Sequence, residues 1–297
     1  MFGPLAAVDP LGPGMPPVVL AHGLGLGPWL WEPWFPLFAA EGLRPIALEL
    51  PGHDGTATNV GLADVVAGVE AALAALGEPA VLVGHSFGGL VAQLVAAGPQ
   101  KHRVKALALV CPLPPGQVRV VPSRYAVKHA LGLARDFVRG RPLGVSFEAY
   151  HQVGMHTLAE PEARALHARV RPFPNRLCRD LLFARPAVDP KAITVPVLVA
   201  IGKADRMIAW QEARVLADLY EAVTWRYDDL AHTAPWEPGG ERMGRDLARW
   251  CAAPARPEVI ESEAFRPGEG VGHDVRMARR GEAAKKRSAY GQKRSAR

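Results

Sequence analysis

Short apolar runs alternate with amphipathic segments over most of the chain, and this alternation predicts the order of strands and helices. Each apolar run is too short for a helix and is rich in valine, leucine or isoleucine, which favours a buried strand. Apolar residues three and four positions apart predict helices between the strands, most clearly over residues 62–76. Such alternation is typical of the α/β class, a mostly parallel sheet with helices on both faces. The predicted strands cover residues 17–21, 44–50, 81–83, 104–111, 195–201 and 223–227, and further helices cover 209–220 and 240–251.

The alternation stops between residues 112 and 190, which contain several short helical patterns and no convincing apolar strand. We therefore expect a helical cap at 112–190, inserted into an α/β core made of residues 1–111 and 191–253. The residues before Pro17 are rich in glycine and proline, and only residues 5–8 could form a short strand, so the ordered sheet is expected to start at Pro17. The helical patterns of the cap cover residues 125–138, 147–153, 162–170 and 175–183.

Residues 254–297 lose the apolar periodicity and become basic, with 11 Lys and Arg against 6 Asp and Glu. We expect this tail to be disordered, since it has too few apolar residues to form a core. The rest of the chain is nearly neutral, so the net charge of +6 belongs mainly to the tail. The tail could make weak electrostatic contacts with nucleic acid or anionic lipid. Catalysis by the neutral body is expected to need no nucleic acid.

The remaining composition, 49% hydrophobic and 22% charged, is that of a soluble globular protein. No apolar run reaches the roughly 18 residues of a membrane span, and the first residues lack the basic segment of a secretory signal, so we expect a cytoplasmic protein. Three widely spaced cysteines favour buried free thiols over disulfides or a zinc site. The chain has no P-loop, dinucleotide fingerprint or metal-ligand spacing, and we expect no cofactor and no metal.

The motif Gly84-His85-Ser86-Phe87-Gly88 stands between the third predicted strand and its helix. A serine in G-x-S-x-G after a buried strand occupies a turn too tight for bulky neighbours, so the glycines give clearance and the hydroxyl is exposed. A serine hydroxyl is a poor nucleophile unless an imidazole takes its proton and a carboxylate orients that imidazole. The motif therefore predicts a nucleophile that needs two partners.

Candidate partners follow the last two predicted strands. In a parallel sheet, ligands bind outside the carboxyl ends of the strands, so residues just after strands are the ones to search. Asp205 follows strand 195–201 and His232 follows strand 223–227, so both are expected at this edge. The alternatives are three histidines in turn motifs, where imidazoles usually make structural hydrogen bonds, and two acids just before the candidate base. These alternatives are His22, His53, His85, Asp228 and Asp229.

With four further motifs, these residues make the chain resemble the α/β-hydrolase superfamily, in particular its lidded, single-domain, esterase-like serine hydrolases. The motifs are His22-Gly23-Leu24-Gly25, Pro51-Gly52-His53, Gly202-Lys203-Ala204-Asp205, and Ala231-His232 followed by Trp236-Glu237. The chain departs from the family pattern at Ala231 and Asp54, where glycine is usual, and has little sequence for the N-terminal antiparallel hairpin.

The resemblance implies a role for each candidate. Ser86 would attack the substrate, His232 would carry the proton, and Asp205 would orient the imidazole. The backbone N–H groups of Leu24 and Phe87 would stabilise the oxyanion. Candidates for the wall of the substrate pocket, with simple packing as the alternative, are Trp29, Met207 and Trp236.

The sequence thus predicts a cofactor-independent serine hydrolase that cleaves an ester or related acyl bond of a small, fairly hydrophobic molecule through an acyl-enzyme. A serine nucleophile disfavours dehalogenase and epoxide-hydrolase chemistry, which the family resemblance ties to aspartate. A C–C bond hydrolase and an acyltransferase use a similar triad, and both stay open. A binding protein that keeps the fold without turnover is a further alternative.

Overall fold

A mostly parallel sheet forms the centre of the molecule. Its strands are β1 Ala7–Val8, β2 Pro17–Ala21, β3 Arg44–Leu48, β4 Ala80–His85, β5 Val104–Val110, β6 Val197–Gly202, β7 Val223–Tyr227 and β8 Val271–Gly272. The computed structural model describes residues 7–12, 14–55, 59–256 and 271–272. Within these ranges the strands join in the order β1-β3-β2-β4-β5-β6-β7-β8. Strands β2 to β7 pair in parallel, whereas β1 and β8 add antiparallel edges.

Helices cover this sheet, because the strands of a parallel sheet are buried on both faces. Strands β2, β4 and β6 are buried along their whole length. The helices are α1 Phe35–Ala40, α2 Leu62–Leu76, α3 Phe87–Ala97, α4 Arg124–Val138, α5 Phe147–Gly154, α6 Glu160–His167, α7 Asn175–Phe183, α8 Trp210–Tyr220 and α9 Gly240–Ala252. Helix α3 packs on β2, β4 and β5, and α8 packs on β6 and β7. The predicted α/β class is confirmed.

Helix α2 shows how the sequence sets the ends of an element. Val65 and Val69 recur four positions apart and are fully buried, so one face of the helix packs against the core. At its start, the Asp64 carboxylate accepts a 2.8 Å hydrogen bond from the Gly61 N–H, which satisfies a donor that the helix itself leaves free. At its end, Gly77 adopts the left-handed conformation with φ 77°, which continues no helix.

Residues 112–190, here called the cap, connect β5 to β6 and contain helices α4 to α7. A single polar side chain ties part of the cap together. The Asn175 amide donates hydrogen bonds to the backbone carbonyls of Asp136, Phe137 and Arg141, at 3.3, 3.0 and 3.1 Å. These carbonyls lie at and just beyond the end of α4, where a helix leaves its acceptors unsatisfied, so Asn175 joins α7 to that end.

The two ends of the cap are hydrogen-bonded to each other, and we call this region the neck. The Gly116 N–H donates to the Pro186 carbonyl at 2.7 Å. The Gln117 side-chain amide donates to the Val188 carbonyl at 2.6 Å, and its oxygen accepts from the Val188 N–H at 3.0 Å. The outgoing and returning chains of the cap therefore meet where they leave the core.

The sheet starts earlier than predicted. The expectation that it begins at Pro17 is wrong, because Ala7 and Val8 pair antiparallel with Leu48 and Ala47. Arg44, at the start of β3, forms an ion pair with Asp9 at 2.6 Å, which holds the segment after β1 against the sheet. This strand lies within residues 5–8, the one stretch before Pro17 whose apolar pattern allowed a short strand.

The expectation of disorder for residues 254–297 falls mostly outside the described residues and stays a prediction. Of the tail, Val271 and Gly272 pair antiparallel with Tyr227 and Arg226 of β7. Among the described residues, no helix combines the length and the apolar character that crossing a bilayer requires. The cytoplasmic location stays a prediction.

Glycines allow β4 to turn directly into α3. A Cβ atom added to Gly88 would overlap the backbone carbonyl oxygens of Ala21 and His22, at the end of β2. A Cβ atom added to Gly84 would overlap the backbone carbonyl of Gly88 itself. Backbone atoms on both sides leave no room to relax, so the close approach of α3 to β2 and β4 requires glycine at both positions.

Replacing Gly88 tests this packing. Gly88→Ala is expected to lower the free energy of unfolding by about 1–3 kcal/mol or more, because the new methyl group meets backbone. Gly132→Ala is the matched control. Nothing lies within 4 Å of its added Cβ atom, and alanine has a higher helix propensity than glycine. Urea unfolding followed by circular dichroism measures both variants. Equal midpoints for the two variants would contradict the packing argument.

Candidate active site

Ser86 occupies a strained backbone position between β4 and α3. Its φ of 53° and ψ of −119° lie where residues other than glycine are rarely found. Hydrogen bonds hold this conformation: the Ser86 N–H donates to the Val110 carbonyl at 3.1 Å, and the Ser86 carbonyl accepts from Gly89 and Leu113 at 2.9 Å each. Strain of this kind costs about 1–3 kcal/mol and persists only where the surroundings determine it.

His232 and Asp205 form a buried imidazole–carboxylate pair. The His232 Nδ1 atom lies 2.8 Å from Asp205 Oδ2, and the two side chains are 2% and 0% exposed. The other carboxylate oxygen accepts N–H bonds from Met207 at 2.7 Å and Ile208 at 3.0 Å, so the acid is held from both sides. Because Nδ1 donates to the carboxylate, Nε2 of His232 is the nitrogen left to accept a proton.

The two rival acids have other partners. Asp228 lies 2.9 Å from the Nε atom of Arg226, and Asp229 lies 2.5 Å from a guanidinium nitrogen of Arg242. Both carboxylates are about half exposed. The pairing with His232 therefore falls to Asp205, the acid that follows β6.

Two of the rival histidines make local hydrogen bonds in their turns. His22 Nδ1 donates to the carbonyl of Gly23 at 2.8 Å, and its Nε2 accepts from the N–H of Leu50 at 3.2 Å. His53 Nδ1 lies 3.1 Å from the carbonyl of Pro51. Burial, together with the nearby His22 imidazole, lowers the pKa of His53 to about 3, so its ring stays neutral.

The third rival, His85, is fully buried beside the base itself. Its Nε2 atom donates to the backbone carbonyl of His232 at 2.7 Å, and the two ring centroids are 4.8 Å apart. Burial first, and the neighbouring His232 imidazole second, lower the pKa of His85 well below its ordinary value. His85 therefore stays neutral and holds the loop that carries His232.

Sequence reasoning gave no role to two residues that contact this loop. The Glu237 carboxylate accepts a 2.5 Å hydrogen bond from the N–H of Ala231, and burial raises its pKa. The Cys111 thiol donates to the Ala231 carbonyl at 3.5 Å. Burial, and next the charge of Asp205, raise the pKa of Cys111 well above its ordinary value, so the thiol stays protonated. Only the short motif Trp236-Glu237 and the end of strand β5 marked these positions in the sequence.

The same place contains the donor set that could hold a metal ion. Among the described residues, Cys111, Asp205 and His232 offer ligand atoms that all lie within 4.8 Å of one another. Here Asp205 and His232 bind each other, and the thiol binds a backbone carbonyl. All three cysteines are free, with Cys178 partly exposed and the other two buried.

A cavity of about 540 Å³ lies between the core and the cap. Ser86, His232, Leu24 and Met207 line it, so four of the predicted site residues meet here. Most other lining side chains are apolar or small. They include Leu26, Ala126, Leu133, Val145, Ala149, Val153 and Phe173.

Two backbone donors flank Ser86. Neither the Leu24 N–H nor the Phe87 N–H donates a hydrogen bond to another of the described residues. A Cβ atom added to Gly23 would lie 3.2 Å from the Ser86 Cβ, which shows how closely the loop before Leu24 approaches the serine. The geometry leaves both N–H groups free for a bound molecule.

Trp29 and Trp236 pack against each other and are not among the residues that line the cavity. Their ring centroids are 6.4 Å apart. The guanidinium of Arg169, from the cap, stacks over both rings at 4.9 and 5.9 Å. Arg169 also binds the two Glu32 oxygens, at 2.9 and 2.7 Å. The tryptophans thus join the loops after β2 and β7 to the cap.

The model of the alpha/beta hydrolase family matches residues 18–275, which is most of the chain. The chain belongs to the alpha/beta hydrolase family. The resemblance drawn from the sequence motifs is therefore confirmed.

Relatives of several activities share parts of the sequence. A pimeloyl-[acyl-carrier protein] methyl ester esterase from Aromatoleum aromaticum is 39% identical over 125 residues, 42% of this chain and 48% of that protein. A dihydrolipoyllysine-residue acetyltransferase component of the acetoin cleaving system from Pseudomonas putida is 42% identical over 105 residues, 33% of this chain and 27% of that protein. The matched parts span less than half the length of these curated relatives.

An esterase from Exiguobacterium antarcticum has the same fold, with a TM-score of 0.68 and 19% identity over 84% of this chain and 96% of that one. At this identity the likeness shows the shared fold.

The neutral His53 predicts a pH dependence of stability. Its folded pKa of about 3 lies below the ordinary value of about 6.5, so the unfolded chain binds the proton more readily. The contribution of the neutral His53 to the free energy of unfolding is therefore fully present above about pH 6.5. It is lost as the pH falls toward 3, by up to about 1.4 kcal/mol per pH unit. Urea unfolding between pH 4 and 7 measures the free energy of unfolding at each pH. For His53→Gln, this free energy should fall less steeply with falling pH than it does for the unchanged protein. The matched control is His102→Gln, at an exposed position; equal slopes for the unchanged protein and His53→Gln would contradict the assignment.

The cavity predicts different effects for two pocket candidates. Met207→Ala removes a lining side chain and is expected to raise KM for an ester several-fold, about 1 kcal/mol of lost contact. Trp29→Phe changes packing outside the cavity and is expected to lower stability with KM unchanged. Steady-state kinetics and thermal unfolding separate the two, and a raised KM in Trp29→Phe would place that side chain on the substrate.

Proposed function

We propose that this protein is a serine hydrolase that cleaves an ester or related acyl bond of a small, fairly hydrophobic molecule through an acyl-enzyme. One observation carries the proposal: the buried 2.8 Å hydrogen bond between His232 Nδ1 and Asp205 Oδ2, beside a cavity that both Ser86 and His232 line. Membership of the alpha/beta hydrolase family and an esterase among the relatives support it.

In the first half-reaction, Ser86 Oγ attacks the carbonyl carbon of the substrate while His232 Nε2 takes the hydroxyl proton. The negative charge that develops on the carbonyl oxygen is stabilised by the free N–H groups of Leu24 and Phe87. The bond to the alcohol then breaks, and Nε2 returns the proton to the leaving oxygen. Asp205 stabilises the imidazolium throughout without becoming protonated itself.

In the second half-reaction, water takes the place of the alcohol. His232 Nε2 removes a proton from the water molecule as its oxygen attacks the acyl carbon of the ester on Ser86. Collapse of the tetrahedral intermediate breaks the bond to Ser86 Oγ, which regains the proton from Nε2. The carboxylic acid leaves and the enzyme returns to its starting state.

The lining of the cavity supports a mainly apolar substrate. Side chains such as Leu26, Val153 and Phe173 offer dispersion contacts and few charges. A volume of about 540 Å³ fits a small molecule. We place the acyl part of a small, fairly hydrophobic ester among these side chains.

A related acyltransferase is the second candidate. One relative is an acetyltransferase component, and the same acyl-enzyme could transfer its acyl group to an acceptor other than water. Hydrolysis and transfer differ only in the second half-reaction, so the fate of the acyl group decides between them. A binding protein without turnover would fail to release acid from simple esters.

Labelling with a fluorophosphonate tests the nucleophile. Intact protein is expected to gain one adduct on Ser86, and Ser86→Ala is expected to gain none. His232→Ala should label and turn over at least about 10³-fold more slowly, since the hydroxyl loses its base. Ser123→Ala, which removes a hydroxyl that caps α4 and does not line the cavity, is the control with unchanged labelling.

A substrate panel then identifies the acyl bond. p-Nitrophenyl esters from acetate to palmitate, one amide and one thioester are compared by kcat/KM, with and without an added acceptor thiol. Release of acid from esters at a rate independent of the thiol is the expected result. An adduct on another residue, or labelling of His232→Ala at the rate of the unchanged protein, would contradict the proposal.

A further inference from the structure

Tyr150 places a polar group in the candidate active-site cavity. It lies on α5 of the cap, is only 8% exposed, and lines the same cavity as Ser86. Burial raises the pKa of its hydroxyl, which therefore keeps its proton and can donate a hydrogen bond. Lys128 and His129 also line the cavity, but both contact the Gln152 side-chain oxygen, at 3.4 and 3.0 Å.

The hydroxyl has no partner within the part of the chain that the structure describes. The buried Tyr227 and the partly buried Tyr220 differ in this respect. The Tyr220 hydroxyl donates to Gln93 at 2.9 Å, and the Tyr227 hydroxyl donates to Asp246 at 2.9 Å. Buried polar groups are nearly always hydrogen-bonded, and leaving one unpaired costs about 1–3 kcal/mol. The partner of Tyr150 must then come from what fills the cavity.

Neighbouring residues hold the ring of Tyr150 in place. A Cβ atom added to Gly154 would lie 3.4 Å from the tyrosine Cε1, so the ring rests on that glycine. The Gly154 carbonyl accepts a 2.6 Å hydrogen bond from the hydroxyl of Thr233, the residue after His232. The ring of His167 lies 6.2 Å away. A ring held in this way presents its hydroxyl without a large loss of side-chain entropy.

A second hydroxyl lies one helical turn before it. Ser146 also lines the cavity, and its Oγ atom accepts a 3.3 Å hydrogen bond from the Ala149 N–H at the start of α5. Accepting leaves the Ser146 O–H free to donate. Positions 146 and 150 are four residues apart, so two donors share one face of α5.

We propose that the Tyr150 hydroxyl donates a hydrogen bond to an oxygen acceptor in the non-reacting part of the substrate. The cavity then selects esters whose chains carry an ether, carbonyl or carboxylate oxygen over plain hydrocarbon chains of the same length. Ser146 lies on the same face as a second donor. The inference rests on the proposed esterase function and names the substrate class within it.

The test compares chains that differ by one atom. p-Nitrophenyl hexanoate is measured beside analogues in which one methylene of the acyl chain is replaced by oxygen, at each position in turn. A second series carries the oxygen in the alcohol part of hexanoate alkyl esters. We expect the unchanged protein to prefer an oxygen at one position by about ten- to a hundredfold in kcat/KM, the size of effect that an unpaired buried hydroxyl produces.

The decisive quantity is the loss of this preference in Tyr150→Phe. Dividing the preference of the unchanged protein by that of Tyr150→Phe cancels the intrinsic reactivity of each ester. We expect this quotient to be at least about tenfold, and Tyr125→Phe, at an exposed hydroxyl outside the cavity, to give a quotient near one. A quotient near one for Tyr150→Phe at every oxygen position would overturn the inference.

Failure of the proposed function has a different signature. If Ser86 takes no fluorophosphonate label and no ester is cleaved, binding replaces turnover as the readout. Calorimetry of Ser86→Ala, with and without Tyr150→Phe, measures the affinity for the same oxygen-containing and hydrocarbon esters. A preference for oxygen that depends on Tyr150 supports the subsite in that case too, and equal affinities overturn it.

Discussion

The candidate site depends on one serine held at backbone angles that glycine adopts easily and serine does not. Ser86 keeps φ 53° because three hydrogen bonds grip its peptide groups and because glycines on either side let α3 approach the sheet. The side chain thereby projects from the end of β4, and the first free N–H of α3 lies beside it. Strain in the backbone, offset by the surrounding bonds, is what makes the hydroxyl and its neighbouring donors available together.

Much of this arrangement follows from local sequence. The alternation of short apolar runs with amphipathic segments indicates a parallel sheet. A parallel sheet brings Ser86, Asp205 and His232 to one edge whatever the details of packing. The choice between Asp205 and its rivals depends on the path of a loop. Asp228 and Asp229 pair instead with arginines, whose positions periodicity does not indicate. Helical periodicity does not single out Tyr150 either, because a tyrosine in a helical pattern looks like any core residue.

The histidines show how burial separates residues of one type. Four imidazoles lie in the same region. Three of them, those of His22, His53 and His85, each donate a ring N–H to a backbone carbonyl. Desolvation keeps His53 and His85 neutral. Of these four rings, His232 has the closest carboxylate, since Asp205 Oδ2 lies 2.8 Å from its Nδ1 atom whereas Glu49 Oε1 lies 3.6 Å from His22 Nε2.

The neck gives the cap a property of its own. Because Gly116 bonds to Pro186, and Gln117 to both backbone groups of Val188, the chain between them forms a loop closed by its own contacts. Its length and content can change without disturbing the register of β5 and β6, since closing a longer loop costs only slowly increasing entropy. The cap is therefore joined to the core as a loop with its own closure, and the segment between Gly116 and Val188 can vary while the pairing of β5 with β6 is kept.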